Sequence, residues 1–379
     1  MKKRVCIDLR VCQKKSRHTG IGVYAYNLCK LLKDYNTDFE LFFLVLKGYK
    51  LPFEIDVDKL IYVRRFYKPE SIQELFDFID VKYLLFKHKI DIYHSLVPCT
   101  ITPTDRLKII VTIHDIIPDI IVNERTKPHL QRIIYKLKMY ATSKASRLIF
   151  NSHATKNDFL DFYKVVTNKF DVIYLGSEFE NYVNLNTKSK NAFSNDYIFY
   201  IGGFNDRKNV PNLINAFLNI SDKFPNLKLV IAGKPNHIQS LKIKSECGID
   251  IFNNSKIEWK GFVPDSSIPE LYSNAKFFIY PSLYEGFGLP LLEAMKLGTA
   301  IITTYLGSIP EVTGSAALYL NNTSEKELIE KMLILIENQG LRANLINQGK
   351  IQALNFSWEK TANDTIRVYN QIFKDENRD

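Results

Sequence analysis

The sequence predicts an α/β protein of two domains, each a doubly wound parallel sheet with helices on both faces. Three observations predict it. Short apolar runs rich in Val, Ile and Phe alternate with longer amphipathic stretches, the pattern of strand–helix–strand units around parallel sheets. The 379 residues exceed what one hydrophobic core of ordinary size holds. A polar stretch rich in Asn, Ser and Lys, residues 176–195, interrupts the alternation, which then restarts.

The elements follow from the runs in order. In the first half the candidate strands are 4–9, 39–46, 60–63, 91–94, 108–113, 147–150 and 170–174. Helical patterns fill 22–33, 72–87, 129–143 and 154–163 between them. In the second half the candidate strands are 197–201, 227–232, 256–259, 275–280, 300–303 and 316–320. The helices are 210–220, 239–247, 267–273, 290–297 and 325–337. The expected boundaries are 1–180 for the first domain, 181–196 for a linker, 197–355 for the second domain and 356–379 for a terminal helix. Open sheets of this kind bind ligands at the carboxyl ends of their strands, so two facing domains predict a cleft between those ends.

Composition limits the function classes. With 46% hydrophobic and 24% charged residues the chain reads as a folded soluble protein. No apolar run approaches the roughly 20 residues a membrane span needs. The opening residues, MKKRVCIDLR, pass straight into a strand-like segment with no long apolar core or cleavage site, which predicts a cytoplasmic protein. The cysteines Cys6, Cys12, Cys29, Cys99 and Cys247 are scattered and odd in number, which speaks against a disulfide framework or a zinc site.

The net charge of +10 is uneven. Residues 1–180 hold 30 Lys and Arg against 21 Asp and Glu, whereas the remainder holds 21 against 20. Residues 125–147 are the densest part, with Arg125, Lys127, Arg132, Lys136, Lys138, Lys144 and Arg147 and no acidic residue. A basic, partly apolar helix there suits an anionic membrane surface, on which the protein would lie peripherally at the inner face, or a phosphorylated acceptor. A solvated helix face is the plainer alternative. No nucleic-acid reading motif accompanies the charge, so nucleic acid is not the expected partner.

The strongest chemical signal is PSLYEGFGLPLLEAM, residues 281–295. A buried strand ends at Pro281 and leads into a loop with Gly286 and Gly288, and Pro290 sits where a first-turn helical proline belongs. Glycines admit a ligand close to the backbone, and the amides of a helix start favour an anion. Glu285 in the loop and Glu293 in the helix suit sugar hydroxyls, from which carboxylates accept strong hydrogen bonds. Taken singly, an early-helix Glu is favoured by the macrodipole alone, and a loop Glu is ordinarily solvated.

Three further segments carry chemistry. In YIGGFNDRKNV, residues 200–210, a strand ends at Gly202 and Gly203, and adjacent Arg207 and Lys208 follow. Vicinal cations neutralise the charge that grows on a diphosphate leaving group. In TGIGVYAYNL, residues 19–28, Gly20 and Gly22 open a helix and suit a phosphate. Ten residues separate them from the strand before, too far for a dinucleotide turn. In VTIHDIIP, residues 111–118, His114 and Asp115 follow a strand at its carboxyl end.

Together these segments resemble the retaining glycosyltransferases of family 4, in particular their mannosyl- and rhamnosyltransferase-like subgroup. Glu285 with Glu293 matches the E-x7-E element, 202–209 the G-x-x-x-x-R-K-N segment, 20–24 the G-I-G-R-Y segment with Val23 in place of Arg, and 112–118 the T-x-H-D-x-x-P segment. The resemblance covers nearly the whole chain. It implies the GT-B fold, two Rossmann-like domains facing a cleft, with an acceptor-binding first domain, a donor-binding second domain and a terminal helix crossing back.

The resemblance also implies residue roles. Glu285 and the amides of Gly286, Phe287, Gly288 and Leu289, beside Tyr284, hold the donor sugar. Glu293 holds the ribose, and Arg207 and Lys208 hold the diphosphate with Gly20, Gly22 and Gly203. Gly233, Lys234, Phe262 and Val263 line the base site. His114 lies near the donor sugar and Asp115 on the acceptor side. No metal or other cofactor is expected, because two cations and a helix start already meet the diphosphate. Asp56 and Asp58 form an Asp-x-Asp pair in a polar stretch and read as surface.

The expected reaction is hexose transfer with retained configuration, with GDP-mannose the best guess for the donor. The expected acceptor is a saccharide or lipid-linked saccharide in surface polysaccharide or lipopolysaccharide assembly. The rivals are a glycoside hydrolase using Glu285 and Glu293 as its carboxylate pair and a catalytically inactive peripheral membrane scaffold.

Overall fold

The computed structural model describes residues 2–13, 19–35, 38–51, 53–64, 70–121, 129–177, 179, 196–248 and 253–376. Among these, the strand-forming runs pair in parallel within two separate sheets. Contacts divide the chain into one unit of Met1–Leu175 with Trp358–Asp379 and a second of Gly176–Ser357. The expected linker, 181–196, lies outside the described residues except for Asp196.

The first unit runs β1 (Arg4–Asp8), α1 (Gly20–Leu32), β2 (Glu40–Leu46), β3 (Leu60–Val63), α2 (Glu70–Lys87), β4 (Ile92–Ser95) and β5 (Lys108–Ile113). It continues with α3 (Ile117–Ile120), α4 (His129–Ser143), β6 (Arg147–Phe150), α5 (His153–Tyr163) and β7 (Phe170–Val172). Its seven strands lie in the order β3-β2-β1-β4-β5-β6-β7. The direction of winding reverses between β1 and β4. The runs are apolar almost throughout because helices cover both faces of the sheet. In β2 the five residues from Phe42 to Leu46 are all buried.

The second unit runs β8 (Tyr197–Ile201), α6 (Val210–Ser221), β9 (Lys228–Ala232), α7 (His237–Cys247), β10 (Ile257–Gly261), α8 (Ile268–Ser273) and β11 (Phe277–Tyr280). It continues with α9 (Leu289–Lys296), β12 (Ile301–Thr304), α10 (Ile309–Thr313), β13 (Ala317–Leu320), α11 (Glu325–Glu337) and α12 (Gln339–Ala353). The strand order is β10-β9-β8-β11-β12-β13, with the reversal between β8 and β11. Helix ends carry their own chemistry. Asn236 and Gln239 form a reciprocal capping box at the start of α7, each side chain accepting from the other's backbone N–H at 2.9 Å.

The last helix, α13 (Trp358–Glu376), packs in the first unit. Thr361 donates to the Tyr174 carbonyl at 2.7 Å, and the buried Tyr369 ring meets Phe39 edge-on at 5.6 Å.

The structure departs from the sequence reading in a few places. Helix α1 begins at Gly20, two residues before the expected start, so both Gly20 and Gly22 lie in its first turn. The stretch 267–273 opens as a 3-10 turn, Asp265–Ser267, before α8. Helix α12 has no apolar stripe to announce it. It buries Leu345, Gly349 and Ala353, and a Cβ on Gly349 would stand 3.2 Å from the Met295 side chain. Asp56 and Asp58, by contrast, are exposed around a 3-10 turn before β3, as the sequence predicts.

The carboxyl ends of β8 and β9 approach so closely that a side chain does not fit between them. Gly233 has φ 125°, and a Cβ there would lie 2.4 Å from the Gly202 carbonyl oxygen. Gly48, at φ 84°, has nothing within 4 Å of the same position. Gly233→Ala therefore combines backbone strain with a backbone clash and is expected to cost more than about 2 kcal/mol. Gly48→Ala carries strain alone, on the order of 1 kcal/mol. Urea unfolding of both variants checks this, and equal midpoints would contradict the packing described.

Candidate functional site

The second unit builds a buried charged cluster at its reversal point. A 3-10 turn after β8, Asp206–Lys208, brings Arg207 and Lys208 over the sheet. The loop after β11 brings Glu285 to meet them. Lys208 Nζ lies 2.5 Å and Arg207 Nη1 2.9 Å from Glu285 Oε1, and Ser282 Oγ donates to the same oxygen at 2.6 Å. Arg207 Nη1 also donates to the Tyr284 carbonyl at 2.8 Å. Lys208 donates to the Tyr280 hydroxyl and stands 4.5 Å from the centre of that ring.

Electrostatics follow from the burial. Desolvation alone would push the Glu285 carboxyl up. The Lys208 ammonium and the Arg207 guanidinium, with hydrogen bonds from Lys208 and Ser282, outweigh it and hold Glu285 below the usual carboxylate range. One carboxylate thus stands against two cations in a site where Lys208 is only 7% exposed. Two cations fixed side by side, in surroundings less polar than water, suit an anion.

The loop itself is rigidly held. Leu283 N–H donates to the Arg207 carbonyl at 2.7 Å, and Ser308 Oγ donates to the Glu285 carbonyl at 2.9 Å. Gly288, at φ 96°, turns the chain into α9, with Pro290 in the first turn. Gly286, Phe287 and Gly288 are buried, Leu289 is half-buried, and the Phe287 ring packs edge-on against Phe356 at 5.8 Å. Five residues into α9, Glu293 accepts a hydrogen bond from the buried Tyr272 hydroxyl at 3.1 Å.

The remaining predicted donor residues of this unit share the carboxyl edge of the sheet. Gly203 follows β8, and its carbonyl accepts from the Tyr200 hydroxyl at 2.6 Å. Gly233 follows β9 and donates to the Gly261 carbonyl at 2.7 Å. Lys234 is exposed, Val263 is half-buried, and Phe262, just beyond β10, is 69% exposed.

The first unit holds a different kind of site. His114, after β5, is buried. Its Nε2 donates to the Leu96 carbonyl at 3.1 Å, which leaves Nδ1 as the acceptor nitrogen. The Tyr24 ring of α1 meets His114 edge-on at 4.8 Å. Burial pulls the imidazole down to about 4, the Leu96 bond opposing it, so the ring is neutral at ordinary pH. Asp115 accepts from the Ile117 N–H at 3.1 Å, closing a turn into α3.

Residues 18–180 match the family described as Glycosyltransferase Family 4, and residues 185–352 match Glycosyl transferases group 1. The chain belongs to the family 4 glycosyltransferases. The O-antigen chain mannosyltransferase B of Escherichia coli is 33% identical over 178 residues, covering 46% of this glycosyltransferase and 45% of that protein. The O-antigen chain mannosyltransferase RfbU of Salmonella typhimurium is 28% identical over 218 residues, 57% of each. The glycosyltransferase thus covers less than two thirds of the length of these curated relatives. The sucrose-phosphate synthase of Thermosynechococcus elongatus shares the fold, with a TM-score of 0.76 at 15% identity over 98% of this chain and 99% of that one. That fold is GT-B.

Within the glycosyltransferase, the predicted residues fall into two groups. Arg207, Lys208 and Glu285 touch one another, and Tyr284 joins them through its carbonyl. Gly20, Gly22, His114 and Asp115 belong to the first unit. Of the seven basic residues between 125 and 147, Arg125 and Lys127 lie outside the described residues. Arg147 is paired with Asp171 at 2.7 Å and so does not contribute to a free cationic face.

Sequence reasoning missed Ser282, Tyr280, Tyr272 and His94. Tyr272 and Tyr280 lie in runs that read as core, and nothing in the spacing marks their hydroxyls as partners of charged groups. His94 lies within a strand, its Nδ1 2.7 Å from the Tyr369 hydroxyl of α13 and its Nε2 2.8 Å from Thr112 Oγ1. Glu285 is disfavoured as the general acid of a hydrolase, because that role needs a raised affinity for its proton, and Glu285 has the opposite.

The two buried histidines make the first unit acid-sensitive. Burial, helped by its neighbour His114, pulls His94 down to about 3. Unfolded, both rings titrate near pH 6.5. Their contribution is therefore fully present above that value and is lost as pH falls, towards about 4 for His114 and about 3 for His94. The loss approaches about 1.4 kcal/mol per pH unit for each ring. Urea unfolding between pH 7 and 5, followed by the fluorescence of Trp358, is expected to show that slope roughly halved in His94→Gln. An unchanged slope would contradict it.

Proposed function

We propose that the glycosyltransferase moves a hexose, with retained anomeric configuration, from a nucleotide-diphosphate sugar to a saccharide or lipid-linked saccharide. The observation that carries this reading is the buried cluster in which Glu285 holds two cations, Arg207 and Lys208, side by side. A diphosphate matches that charge, and its leaving-group charge grows in the transition state, where fixed cations stabilise it most. In this reading the acceptor oxygen bonds to the anomeric carbon on the face the diphosphate leaves. The bonding pair departs with the phosphate oxygen, and a phosphate oxygen takes the acceptor's proton.

Among the described residues every hydrogen bond to the Glu285 carboxylate falls on Oε1, so Oε2 is the oxygen for a sugar hydroxyl. Glu293 accepts from the ribose, with Tyr272 fixing its rotamer. The base rests near Gly233, Lys234, Phe262 and Val263. Because two side-chain cations already meet the diphosphate, no metal is required, and transfer should survive a chelator. Two relatives are named as O-antigen chain mannosyltransferases. With the TGIG and TIHDIIP segments, they support GDP-mannose as donor and surface polysaccharide or lipopolysaccharide assembly as the setting.

Thermal shifts with GDP, UDP, ADP and their sugar conjugates test the reading, first with chelator and then with magnesium. One nucleotide, expected to be GDP, should stabilise the protein without metal, because stabilisation rises with ligand concentration over Kd. No shift with any nucleotide would refute the donor site. Tyr272→Phe is expected to raise the donor KM several-fold with little change in kcat, whereas Glu285→Gln should lower kcat about 100-fold or more. Steady-state kinetics separate the two, and equal losses in both parameters for both variants would contradict the assigned roles.

A further inference from the structure

Helices α2 and α4 pack against each other and share one core in the first unit, α2 through Val81 and Leu85, α4 through Met139. Each helix also carries a second apolar stripe on its outer side. On α2 it is Ile79, Tyr83 and Phe86; on α4 it is Ile133, Leu137 and Tyr140. Both follow the same i, i+4, i+7 spacing, one line along a helix surface. All six side chains are between 43 and 65% exposed. Helices whose core face is already satisfied ordinarily turn polar residues outward, so two adjacent apolar stripes call for an occupant.

The charge around the stripes says what that occupant is. Residues 81–90 and 129–147 together contain eight Lys and Arg and no Asp or Glu. Lys87, Lys89, Arg132, Lys136 and Lys144 are exposed, and Lys144 lies 5.6 Å from the Tyr140 ring centre. The acidic positions of α2 are 70, 74, 77 and 80, so its basic stretch begins after Ile79 and Asp80. Aromatic and aliphatic side chains among lysines and arginines are what a helix presents when it lies in the headgroup region of an anionic bilayer. Among the described residues no helix is long and apolar enough to cross a membrane.

We propose that the outer face of α2 and α4 docks the glycosyltransferase onto an anionic lipid surface. The stripes enter the headgroup boundary, and the flanking cations meet the lipid phosphates. This surface includes α2, which the basic stretch 125–147 alone does not suggest, and it does not depend on the donor site.

Vesicle flotation of the full chain tests it, using phosphatidylglycerol–phosphatidylcholine mixtures against pure phosphatidylcholine. The protein is expected to float with anionic vesicles at about 0.1 M salt and to be largely released at about 0.5 M, where screening is short-ranged. Tyr83→Ser with Leu137→Ser and Tyr140→Ser should lower binding at least tenfold, as should Arg132→Glu with Lys136→Glu, with unchanged melting and nucleotide-induced shifts. Unaltered binding by either variant, or no binding to anionic vesicles, overturns the proposal. Self-association abolished by the same serine variant would assign the face to a second copy and overturn it equally.

Discussion

Glu285 is the constraint around which the second unit's site is organised. Two cations from adjacent positions would repel one another in a buried place, and neither would be held without a counter-charge. A single carboxylate oxygen, reached by Lys208, Arg207 and Ser282, supplies it. The bonds join the turn after β8 to the loop after β11, two segments some 77 residues apart in sequence. Removing Glu285 from such a buried set would leave both cations without it, so their placement depends on that carboxylate. The same arrangement fixes two cations side by side, and that pairing is what suits the cluster to an anion.

The fold explains why this happens where it does. In an open parallel sheet the loops on either side of the reversal point run to opposite faces, leaving a crevice at the carboxyl ends of the strands. In the second unit that point lies between β8 and β11, and the charged cluster is built from the loops after those two strands. The matching place in the first unit, between β1 and β4, holds Asp8, whose carboxylate accepts from the Arg10 backbone N–H, from its guanidinium twice and from the Tyr93 hydroxyl. There the charges cancel. The first unit's candidate residue, His114, is a neutral imidazole set by burial.

Much of this was legible in the sequence, for physical reasons. Strands buried on both faces are apolar runs, so runs such as 108–113 and 147–150 coincide with β5 and β6. Arg207, Lys208 and Glu285 announce themselves because charged residues beside glycines after a strand have few structural uses. What stayed hidden acts through a polar atom on an otherwise apolar side chain. The hydroxyls of Tyr272, Tyr280 and Tyr369 are silent in a pattern of hydrophobicity, yet they hold Glu293, Lys208 and His94. Helix α12, with few buried positions and two glycines, lacks the periodic stripe by which helices are recognised. The outward stripes of α2 and α4 were invisible for the converse reason, since apolar residues on a helix look like core until burial tells them apart.

The central claim is that the Arg207–Lys208–Glu285 cluster binds a diphosphate, and the most direct measurement compares nucleoside diphosphate with monophosphate. Calorimetric affinities would be taken for the unaltered chain and for Lys208→Met, with the base that stabilises the protein best. The account predicts that the diphosphate binds more tightly than the monophosphate to the unaltered chain, on the order of 10–100-fold, as charge-assisted bonds to the second phosphate require. It also predicts that most of this preference disappears in Lys208→Met while monophosphate affinity changes little. A preference that survives the substitution intact would contradict the claim, because the second phosphate would then be held elsewhere.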